Sequence, residues 1–288
     1  MTLSVNIIGA GRVGMTVGQL LVKKNLATIE SICNRSKTST IKAIAFIGQG
    51  HHCPNISQLA PADLIFITTG DESIAMVCSE LSKNQTIKPG TVVIHCSGAL
   101  TSDILRPMKE LGCVLASVHP MRSFAVPEYS VQQFDNTYCA MEGDKQALKV
   151  VGPLFKAMGG IIYEIEKHKK NAYHAAAVFA SNYLVALAEQ ALSCMQVAGI
   201  EHDLSMHVIT ALMKSTVTNL EATLSPRQAL TGPIQRGDIS TIVNHMTSLE
   251  DPEQKQLYSE LGKATLKLTS HNEETKLNII EALTFKSQ

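Results

Sequence analysis

Length, composition and charge narrow the classes of protein to which the chain can belong. It has 288 residues, of which 45% are apolar and 17% are charged, and its 25 basic residues balance its 25 acidic ones. A chain this long and apolar can bury a sizeable core, which excludes intrinsic disorder. A formal charge of zero and a pI near 7.1 argue against the basic surface of a nucleic-acid-binding protein. At about 100–200 residues per domain, we expect two domains.

The cysteines and the apolar segments indicate a cytoplasmic protein. Residues Met1 to Ile8 enter a strand pattern without the basic segment of a signal peptide. The seven cysteines are odd in number and form no Cys-x-x-Cys pair, which is typical of reduced thiols. Polar residues interrupt the long apolar stretch from Ala172 to Met195, so it predicts a buried helix and no membrane span. The run His51-His52-Cys53 has no fourth ligand at a suitable spacing, and we predict no metal site.

The first half of the chain alternates short apolar runs with longer helical patterns. The predicted strands are Leu3–Ile8, Thr28–Cys33, Asp63–Thr69, Thr91–Cys96, Val114–Val118, Asn136–Met141 and Ile161–Ile165. The predicted helices are Val13–Lys23, Ser73–Leu81, Leu100–Leu111 and Lys145–Met158. Apolar strands that alternate with helices indicate an α/β fold with a doubly wound, Rossmann-like parallel sheet that is covered on both faces.

The second half of the chain carries helical patterns only. The predicted helices are Lys167–Ala198, Asp203–Leu224, Asp238–Ser248, Pro252–Thr269 and Asn272–Phe285. Asp238 is either the N-cap of its helix or a residue that faces a ligand cleft. Because the strand signal ends at Glu166, we predict an α/β domain over residues 1–166 and an all-α domain over residues 167–288.

A glycine-rich turn joins the first predicted strand to the first predicted helix. It consists of Gly9, Ala10, Gly11, Arg12, Val13 and Gly14. In such a turn the first glycine permits the tight bend, the second lets the backbone approach a pyrophosphate, and the third lets the helix pack close to the strand. The helix N-terminus adds free N–H groups and the positive end of a dipole. The turn therefore predicts a dinucleotide site, and the alternative is a glycine turn without a ligand.

The end of the second strand bears on the choice of cofactor. An NAD site usually places Asp or Glu there, about 20 residues after the glycine turn, to bind the ribose 2′-hydroxyl. This chain has Asn34, followed by Arg35 and Ser36. A guanidinium group and a hydroxyl suit a 2′-phosphate. We expect NADP(H) rather than NAD(H), and the alternative is a solvated polar loop.

Further candidates follow the later strands, because ligands of doubly wound sheets bind beyond the carboxyl ends of the strands. The expected cofactor contacts there are Thr68, Thr69, Ser97 and Gly98. His119 follows another strand and either contacts the substrate or shapes the turn before Pro120. Arg122 either anchors a substrate carboxylate or lies in solvent.

A polar stripe lies on the first helix of the second half. At 100° per residue, Lys170, His174 and Ser181 share one face, with Asn182 at its edge and Lys167 close by. Carbonyl reduction needs an acid beside the oxygen that becomes anionic. The stripe therefore predicts Lys170 or His174 as the proton donor, with Ser181 and Asn182 orienting the substrate. The alternative is a solvated lysine cluster followed by a core histidine.

Four motifs together resemble a bacterial oxidoreductase family of largely unknown function. They are the glycine turn at Gly9, His119-Pro-Met-Arg-Ser-Phe124, Tyr173-His-Ala-Ala-Ala-Val-Phe-Ala-Ser-Asn182 and Leu230-Thr-Gly-Pro-Ile-Gln-Arg-Gly-Asp238. The resemblance implies a Rossmann-like NADP domain followed by a helical domain similar to that of 6-phosphogluconate dehydrogenase. It also implies a homodimer through the helical domains, with the active site in the cleft between the two domains.

The wider superfamily indicates the type of reaction. Some members of the family resemble an alternative ketopantoate reductase, so 2-dehydropantoate, an intermediate of pantothenate biosynthesis, is the leading substrate. An imine reductase of the pyrroline-5-carboxylate reductase type and an NADP-binding regulatory protein without turnover are the alternatives. Related β-hydroxyacid and ketopantoate enzymes carry a lysine four residues before an asparagine on this helix. Lys167 and Asn171 match that spacing, and so do Lys170 and His174 with histidine replacing asparagine, so the proton donor stays open.

Overall fold

The computed structural model describes residues 2–284, which form two compact units that divide between Ser181 and Asn182. The sequence-based boundary between residues 166 and 167 marks a different feature of the chain. It follows the last strand, which ends at Glu164, whereas the first helical turns after that strand are still part of the first unit.

An eight-stranded sheet forms the centre of the first unit. Its strands are β1 Leu3–Ile8, β2 Ala27–Cys33, β3 His51–His52, β4 Leu64–Ile67, β5 Val92–His95, β6 Val114–Pro120, β7 Tyr138–Gly143 and β8 Ile161–Glu164. The order is β3-β2-β1-β4-β5-β6-β7-β8. Strands β1 to β6 are parallel, β7 is antiparallel to β6, and β8 is parallel to β7. The Rossmann-like α/β prediction is confirmed, whereas the expectation of a wholly parallel sheet is wrong for β7 and β8, because apolar runs do not encode strand direction.

Helices cover both faces of this sheet. They are α1 Arg12–Lys23, α2 Lys37–Ile47, α3 Asp71–Leu81, α4 Pro127–Gln132, α5 Lys145–Ala157 and α6 Lys170–Ala177. Short 3₁₀ segments cover Ile56–Gln58, Ser102–Leu111 and Lys167–Lys169. The helix predicted over 100–111 is a 3₁₀ helix that contains Pro107, since proline removes a donor and hinders α-helical bonding. Helix α2 and the two-residue strand β3 were not expected.

Alternate residues of the central strands feed two separate apolar cores. Ile7 and Phe66 belong to the core on one face, together with Phe155 of α5. Their strand neighbours Ile8 and Ile67 belong to the core on the other face. Because successive strand residues point to opposite faces, the uninterrupted apolar runs of β1 and β4 are explained by burial on both sides.

The second unit is helical, as predicted. Its helices are α7 Tyr183–Val197, α8 His202–Thr223, α9 Pro226–Ala229, α10 Pro233–Arg236, α11 Ile239–Ser248, α12 Pro252–Leu266 and α13 Glu273–Leu283. A small apolar core contains Ile242, Leu266 and Ile279. Phe285, the expected end of the last helix, lies outside the described residues. The single helix predicted over 167–198 is interrupted by a π-helical turn, Val178–Asn182.

Two further properties concern residues 2–284. One helical run, Lys167–Val197, is long and apolar enough to cross a membrane by length and composition alone, and 6% of its most apolar window is buried. No group of three His, Cys, Asp or Glu side chains in this part of the chain could hold a metal ion.

Candidate functional site

The glycine turn leaves the N-terminus of α1 open. Gly9 has a φ of +82° and donates its N–H to the carbonyl of Cys33 at 2.8 Å. Gly11 is the N-cap, and within the described residues no side chain caps this helix end and no acidic group lies in its first turn. The first N–H groups of a helix have no partner inside it. The turn therefore presents hydrogen-bond donors and the positive end of the helix dipole to an anion.

Space beside the turn fits a ligand that approaches the backbone. A Cβ atom at Gly11 would meet only the carbonyl oxygen of Gly9, at 3.9 Å, so packing within the protein does not require glycine there. Thr68 supports the turn by donating its hydroxyl to the Gly9 carbonyl at 2.9 Å. The neighbouring Thr69 hydroxyl oxygen is buried and has no hydrogen-bond partner among the described residues. The space beside Gly11 is therefore open, and the Thr69 hydroxyl after β4 has no hydrogen bond within the described residues that a ligand would have to displace.

The residues after β2 have separate tasks. Asn34 accepts the N–H of Ala10 at 2.6 Å through its side-chain oxygen, and it thereby braces the glycine turn. Ser36 is the N-cap of α2 and accepts the N–H of the residue three positions on, at 3.2 Å. The side chains of Arg35 and Arg12 are exposed. The two guanidinium groups are thus available to an anion, whereas Asn34 and Ser36 already make structural hydrogen bonds.

Ser97 shapes the loop after β5. Its hydroxyl donates to the Asp71 carboxylate at 2.7 Å and accepts the N–H groups of Ala99 at 3.2 Å and Leu100 at 2.9 Å. Its hydrogen is therefore committed to Asp71, an exposed residue at the start of α3. Sequence reasoning named Ser97 as a cofactor contact and did not identify its carboxylate partner.

His95, the last residue of β5, is a buried neutral imidazole. Its Nδ1 accepts the N–H of Ser97 at 3.1 Å, and its Nε2 lies 3.1 Å from the Thr101 carbonyl oxygen. An Nδ1 atom that accepts leaves the proton on Nε2, which donates to Thr101. Burial, with the positive charge of Lys170 nearby, lowers the pKa of His95 to about 4. His95 therefore holds the loop and carries no charge at neutral pH.

Lys170, the first residue of α6, forms a buried ion pair. Only 2% of its side chain is exposed, and its Nζ contacts the Ser117 hydroxyl of β6 and lies 3.4 Å from the carboxylate of Glu142 on β7. Ser102 donates its N–H and its hydroxyl to that carboxylate, at 2.7 Å and 2.8 Å. Burial lowers the pKa of Lys170, and Glu142 opposes that shift. Glu142 and Ser117 were not among the predicted site residues.

Two histidines and a tyrosine meet at the carboxyl end of β6. Nδ1 of His119 lies 2.8 Å from the hydroxyl oxygen of Tyr173, and the ring centroids of His119 and His174 are 6.1 Å apart. Both histidines are half-buried. Burial, with a further contribution from the neighbouring His174 and Lys170, lowers the pKa of His119 to about 4. His119 thus contacts side chains of α6 and does more than shape the turn before Pro120.

Among the described residues, the remaining members of the polar stripe make no hydrogen bond to the histidines or the tyrosine. Lys167 forms an ion pair with Asp103 at 2.8 Å, and its Nζ also lies 3.9 Å from the carboxylate of Glu142. Ser181 and Asn182 are exposed in the π-helical turn. Their predicted alignment with His174 assumed uninterrupted α-helical spacing, which a π turn breaks by lengthening the helical repeat.

Arg122 and Asp238, whose roles the sequence left open, both make hydrogen bonds within the protein. Arg122 donates from its two terminal nitrogens to the backbone and side-chain oxygens of Gln133, both at 2.5 Å, so its guanidinium group is engaged within the protein. Asp238 is the N-cap of α11 and accepts the N–H of Thr241 at 3.1 Å and its hydroxyl at 2.7 Å. These hydrogen bonds lower the pKa of Asp238. The cap alternative holds for Asp238.

Family comparisons agree with this architecture. Residues 1–120 match the family model of a Rossmann-like domain, and residues 137–265 match a domain of unknown function, DUF2520. The chain therefore combines a Rossmann-like domain with this largely helical domain of unknown function, as the resemblance implied. The second match begins just before β7, so it includes Glu142, Lys170 and His174. No curated protein matches the sequence significantly.

Solved structures share the fold over most of the chain. Protein TM1727 of Thermotoga maritima is 28% identical with a TM-score of 0.71, and the match covers 92% of this chain and 97% of that one. A candidate NADP oxidoreductase of Bacteroides fragilis, BF3122, is 18% identical with a TM-score of 0.77 and coverages of 92% and 98%. An imine reductase of Myxococcus stipitatus in complex with NADP⁺ is 13% identical with a TM-score of 0.64 and coverages of 92% and 92%. The last two show likeness of fold.

Proposed function

We propose that this protein is an NADPH-dependent reductase of a small carbonyl substrate. The observation that carries the proposal is the half-buried pair His119 and His174 at the carboxyl edge of a sheet whose glycine turn is open to an anion. Ligands of doubly wound sheets bind at that edge. The fold is one that NADP-binding oxidoreductases also use, which supports the proposal at the level of architecture.

Residues of the first unit suit the parts of the cofactor. The N–H groups of the first turn of α1 would bind the pyrophosphate, and Gly11 leaves the space for it. Thr69 offers its unpartnered hydroxyl to the cofactor, and Gly98 lies at the adjacent strand end. Arg35, with Arg12 on the neighbouring turn, would bind the 2′-phosphate that distinguishes NADP(H).

In this proposal His174 is the proton donor. A bound reduced nicotinamide would supply the hydride, and the substrate oxygen then needs a proton. The amino groups of Lys170 and Lys167 are held by Glu142 and Asp103, whereas the ring of His174 is half-buried at the strand ends. His119 stays neutral at physiological pH because its pKa is about 4, so protonated His174 does not face a second imidazolium. Exposed Ser181 and Asn182 remain candidates for orienting the substrate.

A 2-oxo acid is the substrate class that we propose first. The family resemblance favours 2-dehydropantoate, which would be reduced to pantoate in pantothenate biosynthesis. An imine is the alternative, and the fold likeness to an imine reductase supports its inclusion. A protonated imine already carries the proton that a carbonyl oxygen must receive, so the two substrate classes differ in their need for His174.

The experiment is to follow NADPH oxidation by the purified protein with 2-dehydropantoate, other 2-oxo acids and cyclic imines. Oxidation with a 2-oxo acid supports the proposal, and a preference for 2-dehydropantoate identifies the substrate. Oxidation with imines alone replaces the carbonyl reductase by an imine reductase. Tight NADPH binding without oxidation by any compound contradicts an enzymatic role and favours an NADP-binding regulatory protein.

We also propose a homodimer that forms through the helical unit. Helices α7 and α8 pack on each other but leave large apolar side chains exposed. The most exposed are Val185 at 71%, Val197 at 70%, Leu212 at 66% and Leu204 at 57%. Large apolar side chains that are exposed together on two packed helices suit an interface. A second copy of the chain would bury it.

Sedimentation of the purified protein tests the dimer. The wild type should sediment as a dimer, and the variant Val185→Glu/Leu212→Glu should be a monomer because it introduces charge into the interface. Met76→Glu is the matched control, since Met76 is equally exposed, at 66%, but lies on α3 of the first unit. A monomeric wild type, or a dimeric double variant, would contradict this interface.

We also propose that the protein is cytoplasmic and that no part of it spans a membrane. The apolar run Lys167–Val197 includes Lys170, whose ammonium group is paired with Glu142 inside the α/β unit. That contact cannot persist if the run crosses a bilayer. All seven cysteines are free thiols, which suits a reducing compartment.

A further inference from the structure

Helix α6 and strand β6 contact each other at two successive levels. Lys170, Tyr173 and His174 share one face of α6, because residues three and four apart are neighbours on a helix. Ser117 and His119 share one face of β6, because they are two residues apart. At the first level Lys170 contacts Ser117, and at the second level the Tyr173 hydroxyl lies 2.8 Å from His119. The two contacts therefore follow one another along the same pair of elements.

Strand β7 supplies the countercharge for the first level. Glu142 is the register partner of Ser117 between β7 and β6, and its carboxylate lies 3.4 Å from the Lys170 ammonium group. The side chains of Lys170 and Glu142 are only 2% and 3% exposed. Ser102 donates to both carboxylate oxygens. A buried ion pair of this kind contributes little net stability, and specifying one arrangement is its better attested role.

We propose that Lys170 is a positioning residue whose buried ammonium group registers α6 on β6 and so holds Tyr173 and His174 at His119. This inference rests on the proposed function, in which His174 is the proton donor. Lys170 itself is enclosed by Ser117 and Glu142, so its amino group does not reach a substrate. Loss of Lys170 should displace the donor without removing the group that titrates.

Several titratable groups surround this arrangement. They are Asp71 of α3, His95 and Cys96 at the end of β5, His119 of β6, Glu142 of β7, and Lys167, Tyr173 and His174 around α6. For a reductase, turnover needs the protonated donor, so activity is present below the donor's pKa and is lost as pH rises through it. The presence or absence of this alkaline limb distinguishes positioning from proton donation.

The kinetic test compares variants that treat the charge pair differently. Lys170→Met removes the buried cation beside Glu142 and leaves only Lys167, whose Nζ lies 3.9 Å from that carboxylate, so this single variant is expected to be destabilised. The double variant Lys170→Met/Glu142→Gln removes both charges and keeps an acceptor for Ser102. We expect its kcat to fall roughly 10- to 100-fold, as for other small displacements of catalytic groups, with the KM for NADPH nearly unchanged and the alkaline limb retained. Lys24→Met/Asp135→Asn, which removes a surface pair of the same unit, should keep the wild-type kcat.

Two kinetic outcomes would overturn the inference. A double variant with the kcat of the wild type means that the ion pair does not position the donor. If the residual activity of the double variant no longer falls as pH rises, Lys170 itself gives the proton.

A second measurement needs neither cofactor nor substrate. Histidine side-chain ¹⁵N resonances of the apo protein report the hydrogen bond at Nδ1 of His119, which a His119→Gln variant assigns. In the second unit, Nδ1 of His245 lies 2.7 Å from the hydroxyl of Tyr258, which gives an internal control of the same chemistry. We expect the double variant to shift the His119 resonances and to leave those of His245 in place.

The two experiments separate the two hypotheses. If the His119 resonances do not move, the positioning role of Lys170 is wrong even where the enzyme is active. If they move but no compound supports NADPH oxidation by the wild type, the proposed function fails while the structural role of the pair stands.

Discussion

His119 and His174 meet over the backbone of Gly98, where a side chain would collide with both. A Cβ atom at residue 98 would lie 2.5 Å from Cδ2 of His174 and 2.9 Å from Nε2 of His119. The two rings come from different elements, β6 and α6, so their approach depends on the end of β5 staying free of a side chain. Gly98 is therefore a determinant of the histidine pair, in addition to its expected place beside the cofactor.

Gly98→Ala should lower turnover by displacing the two rings. Separations of 2.5–2.9 Å are below those of real Cβ contacts, so at least one imidazole must move, and misplacement of a catalytic group by about 1 Å can cost roughly 100-fold. The measurement is kcat together with the histidine ¹⁵N resonances. Gly70→Ala is the control for both the fold and the resonances, because a Cβ at Gly70 would meet nothing within 4 Å. Unchanged resonances of His119 and His174 in Gly98→Ala would contradict the contact.

His174→Ala should lower kcat by about 10²- to 10⁴-fold, the usual contribution of a positioned acid. The Kd for NADPH should stay nearly the same, because the groups proposed to bind phosphate lie on α1 and after β2. Fluorescence titration with NADPH and steady-state kinetics provide the two values. His168→Ala is a matched control, since His168 lies six residues earlier and is exposed beside Glu166. Unchanged turnover in His174→Ala would remove His174 from the mechanism.

Local patterns predicted the parts of the site that depend on neighbouring residues. The glycine turn, the strand ends and the shared face of Lys170 and His174 follow from spacing alone. The partner of Lys170 could not be found this way, because Glu142 lies 28 positions earlier and meets it only through the pairing of β6 with β7. The sequence does carry one indication of this contact, because Ser117 and Glu142 are polar residues inside two otherwise apolar strands.

Other differences also arise from tertiary structure. The π turn between residues 178 and 182 has no proline or glycine to announce it, and it separates Ser181 from the face of His174. The sequence left open whether the guanidinium group of Arg122 binds a substrate, and in the folded chain it donates to Gln133 instead. Chain direction in β7 likewise depends on the path of the loop before it.

Acid should destabilise the folded chain through two histidines. His95 and His119 have pKa values of about 4 when folded, against 6.5 for an ordinary histidine. Between about pH 4 and pH 6.5 the unfolded chain binds more protons than the folded chain does. The free energy of unfolding therefore has its highest value above about pH 7 and falls as pH decreases towards about 4. From pH 7 to pH 5 the expected loss is about 2 kcal/mol for each histidine.

Urea unfolding at a series of pH values measures this loss. The variant His95→Gln should be less stable than the wild type at neutral pH, because it cannot reproduce both hydrogen bonds of the imidazole. Its free energy of unfolding should nevertheless depend less steeply on pH, since one of the two titrating groups is gone. A wild type that becomes more stable on acidification, or parallel pH curves for the two proteins, would show that His95 is not held neutral.

Arg35→Ala should weaken NADPH far more than NADH. Residues 34–37, which follow β2, include no carboxylate to accept a ribose 2′-hydroxyl, whereas the exposed Arg35 can pair with a 2′-phosphate. A hydrogen bond between charged groups contributes about 1.5–3 kcal/mol, which corresponds to a roughly 10- to 100-fold rise in the Kd for NADPH. The Kd for NADH should change by less than about twofold, because NADH lacks the phosphate. Lys42→Ala, which removes an exposed cation from α2, controls for the general field of positive charge. Equal losses for both cofactors, or an equal effect of Lys42→Ala, would remove Arg35 from the 2′-phosphate site and leave the choice between NADPH and NADH to another residue.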